Sequence, residues 1–232
     1  FAFGARDNGL FLLIFYMLMY FAVTRCYSEK DYVFAGYLIF SCIVALLTVL
    51  NFFYIDPLNI MVGYDEETIL DFGSTIGNKN TIASFMSMFV PVSIMVLAIS
   101  DKLYMQVTAG FAILFSVTGA LCANSSSVIL GLLVAFPVMA IFCAQRLDFF
   151  RRFLLAMTIC VASIKLLYLF SLIVGLSGLE NKGFEFIQQF LIYDDLTLIP
   201  IAVFGAAYAF LFLFGKKHKE RFTAHFPRRI IT

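Results

Sequence analysis

The 232-residue chain is 62% hydrophobic and 13% charged, carries 29 Phe, and has a formal net charge of +1. A soluble domain is roughly 45–50% apolar and about 25% charged, and no soluble fold of this length has interior enough for so much apolar surface. That composition excludes a soluble globule, and the apolar runs are continuous rather than alternating, which selects membrane-spanning helices over a β-barrel and gives no reason to expect a nucleic-acid partner.

In chain order, the sequence opens on Phe1 with no basic head or small-residue cleavage site, and it reads as a fragment that has lost earlier spans. A bilayer crossing needs about 20 residues, and seven apolar runs approach or reach that length. They are 9–24, 33–53, 81–99, 103–122, 128–144, 153–176 and 196–214. The first is short. The fourth and fifth form one block broken only by Ala123-Asn124-Ser125-Ser126-Ser127, which reads as a tight hairpin turn. Pro91 and Pro137 fall inside two runs, where each removes a backbone hydrogen bond and predicts a kink. Between the sixth and seventh runs, 183–193 carries Phe184, Ile187, Phe190 and Leu191 on one helical face, as a surface-lying amphipathic helix or a packed loop would. The expected fold class is all-α, a single polytopic domain over 1–232 with about seven transmembrane helices.

Charge orients these spans. The tail holds Lys216, Lys217, Lys219, Arg221, Arg228 and Arg229, and placing it in the cytoplasm follows the positive-inside rule. Alternation then puts Arg25, Lys30, Lys102, Arg146, Arg151 and Arg152 on the same side as the tail. Only Arg6, Lys79 and Lys182 fall outside, and Lys165 lies within a span. His218 and His225, the two histidines, belong to the basic tail, which reads as a segment drawn to anionic lipid. The five cysteines, Cys26, Cys42, Cys122, Cys143 and Cys160, have no metal-ligand spacing and read as small hydrophobes. No metal or other cofactor is expected.

Three features could carry chemistry. Gly77-Asn78-Lys79-Asn80 opens the third span, and Asn124-Ser125-Ser126-Ser127 opens the fifth. The topology puts both on the outer face. Asn and Ser cap helices, and helix starts also attract phosphate, so capping and anion binding both stand as readings. The third feature is Lys165, read as lying mid-span about 12 residues from either end, or roughly 18 Å deep at 1.5 Å per residue. A lysine there costs about 2.5–3.5 kcal/mol on insertion scales and usually faces a cavity or partner. A cation facing a polar cleft and a snorkelling side chain are the two readings.

At the two outer motifs the chain resembles the O-antigen ligase and O-antigen polymerase-like superfamily of bacterial envelope proteins. In that family a Gly-x-x-Asn segment opens a span, with a proline about a dozen residues on; here these are Gly77–Asn80 and Pro91. After the next span the family carries Thr-x-Ser-Arg-Gly-Ala and Leu-Gly-Leu; here the stretches are Ala123–Val128 and Leu130-Gly131-Leu132. The resemblance spans roughly 73–175. It implies a GT-C-like helical bundle in the bacterial cytoplasmic membrane that transfers a glycan from an undecaprenyl diphosphate carrier to an acceptor. No metal or nucleotide sugar takes part, because the carrier diphosphate is the leaving group. By position, Asn78, Lys79, Asn80, Ser125, Ser126 and Lys165 would contact that lipid-linked substrate. Two departures stand. Ser126 occupies the place of the family arginine, and the outer segment 177–195 has neither Arg nor His, so no catalytic residue is assigned. A transporter of lipid-linked glycan, or an inactive truncated relative, is the alternative.

Overall fold

The computed structural model describes residues 14, 17–18, 20–21, 25, 31–64, 72–173, 191–192 and 198–215. Two units are distinguished, 1–34 and 35–232. Of the first, the described residues between 14 and 25 are helical, and the rings of Tyr20 and Phe21 meet edge-on at 5.9 Å. The rest of the 9–24 run lies outside the described residues, as do 183–190 and the tail with His218 and His225.

The described helices are α1 (Asp31–Phe52), α2 (Lys79–Ile99), α3 (Leu103–Cys122), α4 (Ser126–Cys143), α5 (Leu147–Ile173) and α6 (Leu198–Gly215). Five of them are long and apolar enough to cross a bilayer, and α6 supplies a shorter apolar stretch, Leu198–Leu213. The architecture is that of a multi-pass helical membrane protein.

Several boundaries differ from the sequence reading. The turn expected over Ala123–Ser127 is shorter, because Ser126 and Ser127 already belong to α4. Asn124, at φ +48, makes the reversal, a left-handed position that Asn enters more readily than most residues. Helix α5 begins at Leu147, so Arg151 and Arg152 are helical rather than part of a basic turn. Lys165 is therefore off-centre among the described residues of α5, 18 residues from its start and eight from Ile173. A short antiparallel pairing precedes α2, with β1 (Phe72–Gly73) and β2 (Gly77–Asn78) in register Phe72↔Asn78 and Gly73↔Gly77. Gly77 there takes φ +89, which a side-chain-bearing residue would resist.

Packing follows from residue size. Lipid is as apolar as leucine, so membrane helices associate by close van der Waals contact, and small residues permit the approach. Helix α3 carries such a stripe, with Ala109, Ala112, Ser116 and Ala120 buried at helical spacing. On the α1 side of the same helix, a Cβ added to Gly119 would come within 3.2–3.3 Å of Ala45 atoms. Helix α2 packs on α3, α4 and α5, and α6 on α5. Phe89 of α2 is fully buried and takes the Tyr37 ring edge-on at 5.4 Å. At the periphery, α4 turns Leu130, Leu133, Val134, Val138 and Ile141 outward, an apolar face suited to lipid.

Both prolines lie inside helices, Pro91 in α2 and Pro137 in α4. Pro91 has no N–H for the carbonyl four residues back, that of Ser87. The α4 backbone also passes close to Ser87, since a Cβ on Gly131 would lie 3.2 Å from its Cβ.

Candidate functional site

The two polar motifs meet. Asn78 ends β2 in an extended conformation, and its Oδ1 accepts the Asn80 N–H at 2.8 Å, so Asn78 is the N-cap of α2. Ser125 sits at the matching position before α4, but its side chain does not cap that helix. Its Oγ donates instead to Asn80 Oδ1, 3.1 Å away and 45 residues distant in sequence. Ser125 Oγ also lies 2.9 Å from Ser127 Oγ. Because the Ser125 proton goes to an oxygen that can only accept, Ser127 is the donor in that second bond.

This chain of bonds binds the starts of two parallel helices together. With Asn80 Oδ1 engaged, the Asn80 amide nitrogen keeps its two protons for donation. Neither helix has an acidic residue in its first turn, so the positive ends of both helix dipoles are left uncancelled there. Lys79, half-buried, is the first residue of α2, while Ser126 is exposed as the first residue of α4. Ser125 is only 5% exposed while Asn80 is exposed, so the part-buried Asn80–Ser125 bond joins the two helices at the rim of the bundle. Below it, Ser84 donates to the Asn80 carbonyl at 2.9 Å and Ser87 to the Ser84 carbonyl at 2.8 Å.

Lys165 occupies a different wall. Its Nζ donates to the Ile192 carbonyl at 3.4 Å and stands 5.7 Å from the centre of the Tyr168 ring. Ile192 is fully buried, in a cluster with Val49, Phe53, Leu121, Cys122 and Leu167. Lys165 thus ties the chain at 191–192 to α5 at the level of Leu121 and Cys122, just short of Ser125. The sequence reading left this partner out because nothing in local spacing links Lys165 to a backbone carbonyl 27 residues away.

At the opposite end of the bundle, Arg152 donates to the Ser100 carbonyl at 2.6 Å and to Asp101 Oδ1 at 3.0 Å. Gln106 donates to the same Ser100 carbonyl at 2.7 Å. The α2–α3 turn is therefore pinned to α5 by a guanidinium from the basic segment, and the cationic end of the bundle lies away from the Asn80–Ser125 joint.

Of the residues picked from the sequence, Asn78, Asn80 and Ser125 form one connected unit, with Lys79 and Ser126 in the adjoining first turns. Ser127 belongs to it too and was not picked, although it stood in the same serine run. Among the described residues, no group of three or more His, Cys, Asp and Glu could hold a metal ion. No protein-family model, curated protein or solved structure matches the chain.

Proposed function

We propose that this protein handles a polyprenyl-diphosphate-linked glycan at the outer face of the bacterial cytoplasmic membrane, as a glycan ligase or polymerase. The observation that carries the reading is the Ser125–Asn80 hydrogen bond, which brings two acid-free helix starts side by side. A diphosphate held there would meet the free N–H groups of both first turns, the Asn80 amide and the Lys79 ammonium. During transfer, negative charge builds on the leaving diphosphate, and donors already aimed at that position lower the barrier. In this reading Lys79, from the neighbouring helix start, supplies the positive charge that the resembled family carries as arginine where this chain has Ser126.

The test is glycan transfer and carrier binding by the protein in lipid nanodiscs, with an undecaprenyl diphosphate-linked donor. Asn80→Ala and Ser125→Ala are each expected to weaken donor binding about tenfold, the scale of one charge-assisted hydrogen bond. Wild-type binding by both variants would remove the joint from the site. A second reading, transport of the lipid-linked glycan without transfer, draws on Lys165, an ionisable group within a span that holds the 191–192 backbone.

A further inference from the structure

Asn51 is among the buried polar groups at this end of the bundle outside the joint. It lies in the last turn of α1 and is 2% exposed. Its Nδ2 donates to the Ile55 carbonyl at 3.4 Å, which sets the amide orientation, because the flipped form would place two oxygens together. Its Oδ1 is buried and has no hydrogen-bond partner among the described residues. Ser41 Oγ and Asp56 Oδ1 are likewise buried without a partner among the described residues, while other buried polar groups of the bundle avoid this. The hydroxyls of Thr48, Ser93 and Ser163 each donate to the carbonyl four residues back on their own helix. An Asn carbonyl has no such escape, since it needs a donor and helix N–H groups are already engaged. Unpaired buried acceptors are costly and uncommon in native proteins.

Packing sets the level of Asn51. Helices α1 and α3 meet at Ala45 and Gly119, and further along, Val49 and Phe53 cluster with Leu121 and Cys122. The two helices therefore run the same way, and Asn51, between Val49 and Phe53, lies about 9 Å beyond the crossing. That is the level at which α3 ends and Ser125 follows. The turn after Asn51 is itself under tension. Tyr54 takes φ +57, costly for a bulky residue, and its N–H donates to the Asn51 carbonyl at 3.0 Å. An orphaned acceptor and a strained residue thus share one turn, and a shift of that turn would relieve both.

We infer that Asn51 is the sugar-reading residue of the site proposed above, on which this inference rests. When the last turn of α1 gives way, Oδ1 accepts a hydrogen bond from a hydroxyl of the sugar attached to the diphosphate. The orphaned atom selects the ligand. An acceptor repels phosphate oxygens, which are acceptors themselves, and needs the O–H or N–H of a neutral group. The Asn80–Ser125 joint offers donors to the diphosphate, and Asn51 offers the complementary acceptor to its sugar.

Asn51→Val and Asn51→Thr test this, because they share a shape and differ in one acceptor oxygen. The Thr hydroxyl can donate to its own helix and still accept. Binding of undecaprenyl diphosphate, bare and carrying one N-acetylhexosamine, is measured in nanodiscs beside the melting temperature. Asn51→Val is expected to melt above wild type, since the orphaned acceptor is gone. It should bind the sugar-bearing lipid about tenfold more weakly and the bare lipid unchanged, and Asn51→Thr should recover most of the loss. An Asn51→Val protein that melts lower, weakens both lipids alike or leaves both unchanged overturns the inference. So does a wild type that binds both lipids equally, which leaves the diphosphate reading standing. A wild type that binds neither lipid removes both.

Discussion

At the residue scale, asparagine does three different jobs here. Asn78 caps a helix, Asn80 receives a hydroxyl from another helix, and Asn124 makes a left-handed turn. One side chain suffices because a short amide both accepts and donates and tolerates positive φ. Asp56 shows the same economy in the loop after α1. Its Oδ2 accepts the Met61 N–H at 2.6 Å, and that bond, with further N–H groups from Leu58, Asn59 and Ile60, holds its carboxyl below the usual aspartate range. A depressed folded value stabilises the fold above the unfolded pKa of about 3.9, and the gain disappears as pH falls through the folded value. Melting of wild type and Asp56→Asn should therefore differ by a constant amount at neutral pH and converge below that range. A gap that persists unchanged into strong acid would show that the carboxylate charge is not what orders the loop.

At the element scale, the bundle depends on places where a methyl group is missing. Gly119 lies against Ala45 backbone as well as its side chain, so neither helix can yield by rotating a side chain. Gly119→Val should separate α1 from α3 and destabilise the protein by about 1–3 kcal/mol, the usual cost of overpacking, read as a lower melting temperature in nanodiscs. Gly110→Ala, whose added Cβ would meet only flexible side-chain ends at 3.9 Å, is the control expected to melt near wild type. Equal melting of the two variants would count against a tight α1–α3 seam. Gly131 is the gentler case, since it faces the Ser87 side chain alone, beside the carbonyl that Pro91 leaves unbonded.

At the scale of the whole molecule, the two ends of the bundle differ in kind. One end carries paired helix starts, the amide and hydroxyl side chains that join them, and Lys79. The other carries Arg152 on the α2–α3 turn and Arg146 over the Phe149 ring at 4.3 Å. The positive-inside rule assigns the second end to the cytoplasm. In a cysteine-free background, Lys79→Cys should react with a membrane-impermeant maleimide added outside cells, and Gln145→Cys should react only after permeabilisation. The reverse pattern would invert the topology and take the proposed site away from the outer face.

The sequence was most informative where a property is one-dimensional. Long apolar runs announce helices because lipid leaves the backbone no other partner, and the runs at 33–53, 81–99 and 103–122 fall within two residues of α1, α2 and α3. The start of α5 was misread by six residues because Arg151 and Arg152 look like a loop, while their long side chains reach the polar end from a helix that has already begun. Asn78, Asn80 and Ser125 were legible as polar residues at thresholds. Their roles were not, because capping and cross-helix bonding use the same side chains and differ only in which atom lies within 3.1 Å. The Lys165–Ile192 bond and the orphaned oxygen of Asn51 left no trace in the sequence at all. Apolar length, which sums along the chain, determined by itself that this is a helical membrane protein, and charge asymmetry supplied the expected orientation. Only the tertiary structure decided which polar groups find partners, because a hydrogen bond depends on a distance between helices that no single stretch of sequence contains.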